Sequence, residues 1–469
     1  MPFSVRPPRS LAVLFLIVSL PVVVLQVYAT PPFQVADEEN HFLRAVQIAG
    51  GHLFSQKFGD GGAGGIIDAA ANEAAHALDG LKFHPNVKLD TSLYGDVAAL
   101  RWSAGPPQPV GFANTAIYPA FFYLPAAVAL SAARAAGMSV LDSFYLGRLA
   151  TALVAVALSA LALALCGKGR TTLFVVLCFP MVLSLFASVS QDALSLSFAA
   201  LAVALWSHYA ARDADMPPRI RVLGTLLLGA VIAARLPFFP VYVLALVPTS
   251  GRHRLFSRDW LGRSDLTAAA LGLLPVVYGI VGAQIAKITF RVGENVSPAA
   301  QMRWIVSHPT AAAHVAMDTL VQTGAGNLRQ MVGVLGWLDT DLPGSFYLWI
   351  VFCLAAALMI DALSPERGLG NPWHWIGAAA AIVSAAAVFG ALYLAWTPVG
   401  ATLVDGVQGR YLLVPAMLLA ITVPAVGRAS VASSSAGDRT EGLRLALCGC
   451  VGLIDLWVVP MTILHRYYG

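Results

Sequence analysis

The sequence predicts an all-α, polytopic integral membrane protein with about eleven transmembrane segments and further helices lying along the outer face. Three observations lead there. Of the 469 residues 58% are hydrophobic and only 12% charged, about half the roughly 25% with which a soluble chain coats its surface. Apolar runs long enough to cross, or nearly cross, a bilayer recur from one end of the chain to the other. The basic residues fall in short connections between those runs rather than on one face, so the net charge of +4 orients helices and gives no reason to expect a nucleic-acid partner.

The first run, "SLAVLFLIVSLPVVVLQVYA" (10–29), follows Arg6 and Arg9 and ends in a Val27-Tyr28-Ala29 triplet that resembles a cleavage site. Its 20 residues exceed the roughly 7 to 15 of a signal-peptide core, so it reads as an uncleaved first span. Further spans fall at 146–166, 171–188, 192–210, 267–290, 345–363, 373–396, 411–427 and 444–463. The run 222–248 reads as a hairpin of two short helices turning at "ARLPFFP". Two long polar connections remain, one within 30–145 and one at 291–343, in a single membrane domain covering the whole chain.

Cytoplasmic loops are enriched in Lys and Arg. Arg6 and Arg9 therefore put the N-terminus inside, together with the basic connections "GKGR" (167–170), "ARDADMPPRIR" (211–221), "GRHRLFSRDWLGR" (251–263) and "GRASVASSSAGDRTEGLR" (427–444). That parity requires 116–136, "AIYPAFFYLPAAVALSAARAA", to stay on the outer side as a juxtamembrane helix, in keeping with Pro119, Pro125 and its crowd of interfacial aromatics.

The same topology gathers the unusual polar residues outside. They include Asp37, Glu38, His41 and Arg44 in "ADEENHFLRA", Arg148 at the start of a span, Asp192 in "SVSQDALS", and Arg235 beside Pro237. Trp337 and Asp339 in "GWLDTDLP", and Gln408, Arg410 and Tyr411 in "DGVQGRYLLVP", complete the set. Pro31 and Pro32 stop the first helix, and Ala36 or Asp37 opens an amphipathic interfacial helix on which Asp37, His41 and Arg44 share a face at i, i+4 and i+7. The alternative is that Asp37 and Glu38 only cap that helix. Trp337 with Asp339 suits a sugar held by stacking and hydrogen bonds, while Arg410 and Arg235 suit an anionic headgroup; the alternatives are a solvated turn and a snorkelling interfacial arginine. The glycine-rich "GDGGAGG" (59–65) follows no predicted strand and lacks the Lys-Ser or Lys-Thr of a phosphate loop. The five cysteines lie in apolar segments and read as packing residues.

These features resemble the GT-C-type membrane glycosyltransferases: a proline-terminated first span, an Asp-Glu pair at its outer mouth, a following His and Arg, and a second acid on the next outer loop. Within that group "PFQVADEENHFLRA", "GWLDT" and "GVQGRYLLVP" are similar to a bacterial family of polytopic proteins known mainly as a domain of unknown function. The likeness runs over nearly the whole chain, with Ala36 where the family pattern has proline. The resemblance implies sugar transfer from a polyprenyl-phosphate donor to a glycan, glycolipid or protein acceptor at the periplasmic face of the bacterial inner membrane. It makes Asp37 the base, with Glu38 beside it and Asp192 as second acid, and Arg410, Arg235 or His41 the cations facing the phosphate. If a divalent cation takes part, Asp37 and Asp192 are the residues to hold it, though arginines alone can serve a monophosphate. A transporter or flippase of lipid-linked glycans is the rival reading, but it should show internal repeats with broken helices, and none is evident. A non-catalytic envelope scaffold is a third.

Overall fold

The structure, a computed structural model, describes residues 10–58, 62–103, 107–250, 260–286, 295–370, 372–426 and 434–469. Arg6 and Arg9, most of the basic connection 251–263 and the first part of 427–444 lie outside the described residues. Among those described, seven helices are long and apolar enough to cross a membrane: Ser10–Ala29, Val140–Leu165, Gln191–Ala210, Arg263–Ala286, Gly344–Leu363, Trp373–Ala395 and Arg439–Tyr467.

The remaining four of the expected eleven spans are shorter or broken. The run 171–188 forms two short helices, Arg170–Leu177 and Pro180–Phe186, because Pro180 cannot continue the first. The run 222–248 bends at Arg235, as the prolines suggested, into an α-helix Pro218–Ala234 and a 3-10 helix Leu236–Leu246. Residues 411–427 begin as a 3-10 turn, Gly409–Leu412, before the helix Leu413–Thr422.

Two contacts fix the relative direction of the first and last spans. The Ser10 hydroxyl donates to Glu441 at 2.9 Å, and the Tyr468 hydroxyl donates to the Ala29 carbonyl at 3.1 Å, so these helices run parallel. At the end where both begin, Arg170 and Arg444 pair with Glu366 and Glu441 at 2.8 to 3.3 Å, and Arg367 pairs with Asp213 at 2.6 Å. The basic connections 167–170 and 211–221 therefore meet Glu441 and Arg444 at one end of the bundle, and the long connection between the first two spans lies toward the other.

That cover is not purely helical. Gln56–Phe58, Gly62–Ile67 and Gln108–Gly111 form a three-stranded antiparallel sheet, so part of the glycine-rich stretch is itself a strand and a strand precedes it, contrary to the sequence reading. Against this sheet packs the helix Glu38–Ala49. It is not an interfacial helix with one wet face, because every residue from Glu38 to Ile48 except Asn40 is buried. The juxtamembrane stretch forms a 3-10 turn, Ala120–Tyr123, and the helix Leu124–Ala135, whose Leu130 and Ala126 pack on Gly147 of the Val140–Leu165 span.

Candidate functional site

Asp37 ends the turn that leaves the first span, and its backbone adopts the left-handed conformation, φ 63°. A non-glycine residue held there costs on the order of 1–3 kcal/mol and persists only where surrounding contacts fix it. Its carboxylate does not cap the helix that starts at Glu38. Instead Oδ2 accepts from Arg410 Nη2 and Oδ1 accepts from Asn114 Nδ2 at 3.2 Å. Burial works to raise the Asp37 carboxyl, but Arg410 foremost, with Arg235, outweighs it and holds it below the ordinary carboxylate range.

Arg410 reaches Asp37 because of the glycines beside it. Gly406 has φ 77° and lies against Trp396, while a Cβ on Gly409 would stand 2.2 Å from the Asn327 carbonyl and the Met331 nitrogen. Only glycine lets this turn press against the Pro309–Gly333 helix. Arg410 Nη1 continues to Asp192 Oδ2 at 3.8 Å, and Arg235 Nη2 lies 2.9 Å from both Asp192 oxygens. Tyr411 lies under these cations, its ring centre 4.3 Å from the Arg235 guanidinium carbon and 5.7 Å from that of Arg410. Arg235 Nη1 donates to the Tyr118 hydroxyl at 3.0 Å.

Two acids and two arginines thus form a continuous chain beside a cavity of about 560 Å³, within the usual range for ligand sites. Its polar end carries Asp37, His41, Asn114, Tyr118, Arg235, Gln408, Arg410 and Tyr411. Gln408 Oε1 is buried with no partner among the described residues. Most of the rest of the cavity is an apolar gutter formed by two spans together with Ala233, Ala234, Leu236 and Pro237 at the break beside Arg235. Val276, Gly279, Ile280 and Ala283 line it from Leu274–Ala286, and Val388, Ala391, Leu392 and Ala395 from Trp373–Ala395, both at i, i+3, i+4 and i+7.

The family whose profile matches residues 20–419 is described as "Predicted membrane protein (DUF2142)". The chain belongs to this family. No curated protein and no solved structure matches it.

In this member of DUF2142 the residues singled out from sequence divide into three groups. Asp37, His41, Arg235, Gln408, Arg410 and Tyr411 line the cavity. His41, however, is no cation: burial first of all, with the two arginines, pushes its pKa down to about 4 against the pull of Asp37 and Asp192. Its Nδ1 faces the Tyr123 hydroxyl at 2.8 Å and its Nε2 the Ser190 hydroxyl at 3.4 Å, so both nitrogens are engaged by the protein. Asp192 stands behind the cavity, where it anchors both guanidiniums.

The third group lies elsewhere. Glu38 and Arg148 form a fully buried pair in which Arg148 Nε donates to Glu38 at 2.8 Å. Arg148 also donates to the carbonyls of Val27, Thr30 and Pro31, so the pair staples the turn that carries Asp37 rather than facing a ligand. Arg44 turns away from the cavity and donates to Gln47, to the Leu53 carbonyl at 2.7 Å and to the Tyr118 carbonyl at 3.3 Å. Trp337 and Asp339 sit on a two-stranded hairpin, Val334–Leu335 with Thr340–Asp341, away from the cavity. Trp337 donates to the Phe33 carbonyl at 3.1 Å, and Asp339 accepts from Arg466 at 3.3 Å.

Sequence reasoning passed over Asn114, Tyr118, Tyr123 and Ser190. The only signal for the first three was their place at the start of the aromatic-rich outer stretch, and Ser190 is the N-cap of the helix that carries Asp192. Glu39, set aside as lying off the favoured face, is buried beside Lys82 at 3.4 Å, and burial raises its pKa to about 7 despite that lysine. A divalent cation does not fit between Asp37 and Asp192. Arginines already hold both carboxylates, and no group of three or more His, Cys, Asp or Glu side chains suited to a metal occurs among the described residues.

Proposed function

We propose that this protein is a membrane glycosyltransferase that moves a sugar from a polyprenyl-phosphate donor to an envelope glycan, glycolipid or protein acceptor at the periplasmic face of the bacterial inner membrane. One observation carries the reading: a single cavity joins a pair of fixed guanidiniums and a carboxylate to an apolar gutter along two membrane helices. An anionic head with a long hydrocarbon tail is the ligand that uses both ends. A soluble sugar nucleotide would leave the gutter unused.

In the step this arrangement suits, the acceptor hydroxyl attacks the sugar's anomeric carbon while the bond from that carbon to the phosphate oxygen breaks. The hydroxyl proton goes to Asp37, and the electron pair leaves with the phosphate. Arg235, already oriented by Asp192 and Tyr118, and Arg410 beside it stabilise the departing charge. The leaving phosphate needs no proton, which agrees with a site whose histidine, His41, is occupied by protein partners.

The test is transfer of radiolabelled sugar from polyprenyl-phosphate donors in envelope preparations of a strain lacking the native protein, complemented with wild type or Asp37→Asn. Wild type should release polyprenyl phosphate and label envelope material, and the variant should be folded but inactive. Wild-type rates in Asp37→Asn would end the proposal.

A further inference from the structure

Each of the two acids is held by an arginine, which poses a problem for any reaction that needs both a free carboxylate and free guanidiniums. The two pairs are unequal. Arg235 meets both Asp192 oxygens at 2.9 Å and is braced by Tyr118, and the Asp192 side chain is only 9% exposed. Arg410 meets Asp37 through one nitrogen and one oxygen, and the Asp37 side chain is 28% exposed toward the cavity. Of the other two Arg410 nitrogens, Nη1 reaches the Ala36 carbonyl at 3.4 Å and Asp192 at 3.8 Å, and Nε has no hydrogen-bond partner among the described residues. The one-point pair, whose carboxylate is the more exposed of the two acids, is the one with fewer bonds to break.

We propose that the Arg410 pair holds Asp37 inactive and that the donor's phosphate takes the guanidinium over, freeing Asp37 only once the donor is seated. The proposal rests on the functional reading above. The exchange is nearly even, since one charge-assisted hydrogen bond is lost as another forms. Asn114 keeps its bond to Oδ1, so the carboxylate stays in position and the oxygen released is Oδ2. Oδ2 is then the atom that accepts the acceptor's proton, as the bond from the anomeric carbon to the phosphate breaks and Arg410 follows the charge onto the phosphate. Donor binding thereby precedes activation of the acceptor, and the base is masked whenever no donor is present.

The mechanism makes Asp37 a competitor of the ligand phosphate, and that is measurable without turnover. The probe is farnesyl phosphate, a prenyl monophosphate resembling the product, titrated calorimetrically into the full-length protein in nanodiscs. Asp37→Asn should bind it about tenfold more tightly than wild type, equivalent to about 1.4 kcal/mol. In the Arg410→Ala background the same substitution should bring no gain, because no guanidinium remains to be released. Equal or weaker binding by Asp37→Asn overturns the proposal, as does a gain that persists without Arg410, which would reflect the local field alone. If neither wild type nor variant binds the probe, the lipid-phosphate reading fails and this inference falls with it; binding without the gain refutes only the inference. Should Asp37→Asn not fold, Asp37→Ser makes the same comparison.

Discussion

Replacing Glu38 by Gln separates a staple from a catalyst, two roles that adjacent acids in the sequence cannot distinguish. Both partners of the Glu38–Arg148 pair have 0% side-chain exposure. Breaking such a pair leaves an uncompensated buried charge at a cost of about 3–5 kcal/mol. Arg148 retains the carbonyls of Val27, Thr30 and Pro31 at 2.9, 2.8 and 3.2 Å, which places Glu38→Gln near the lower end, about 3 kcal/mol. Those same carbonyls mean that removing Arg148 as well will not restore stability, since they would lose their donor. The assay is denaturant-induced unfolding in mixed micelles followed by tryptophan fluorescence, with farnesyl phosphate binding measured on the folded fraction. Folded Glu38→Gln should bind the probe as wild type does. A loss under about 1 kcal/mol, as for a surface pair, combined with abolished transfer, would show that Glu38 acts in the chemistry and refute the reasoning.

The gutter predicts a tail-length effect: Ala391→Leu fills it, so long polyprenyl donors should lose transfer at least tenfold relative to a short prenyl donor, measured as the ratio of their kcat/KM values. Gly409→Ala should strongly reduce the amount of folded protein recovered, because its Cβ would stand 2.2 Å from two backbone atoms of the neighbouring helix. Glu39 sets a pH signature. Its folded pKa, about 7, lies above the ordinary 4.5, so the folded state binds more protons and stability at this group falls as pH rises from about 4.5 through 7. His41, lowered to about 4 from 6.5, contributes the opposite slope between those values. Subtracting the profile of Glu39→Gln from that of wild type isolates the first effect; a flat difference would contradict the burial of Glu39.

Much of the site could be found from the sequence because its members are expensive where they stand. Ionisable groups next to apolar spans are few, and Asp37, Asp192, Arg235 and Arg410 stand out for that reason. Arg235 beside Pro237 pointed to a turn in the run 222–248, and the chain does break there. Helical spacing misled at Arg44, because i, i+4, i+7 fixes a shared face but not what covers each turn of it. The three-stranded sheet covers the far end of that helix, where Gln47 donates to the Gly64 carbonyl and in turn accepts from Arg44. "GWLDT" misled likewise: its residue types suit a sugar, yet the indole and the acid are bound to Phe33 and Arg466.

The sequence by itself determined that this is a multi-pass membrane protein and marked where its main spans begin and end, because hydropathy and segment length are properties of single stretches of chain. Only the tertiary structure decided which charge meets which. Asp37 and Arg410 are 373 positions apart, and Glu38, its neighbour, joins Arg148 instead. Pairing is set by the depth and rotation at which whole helices pack, and no local pattern encodes these. That packing left one acid facing a cavity and sealed the next one in the core.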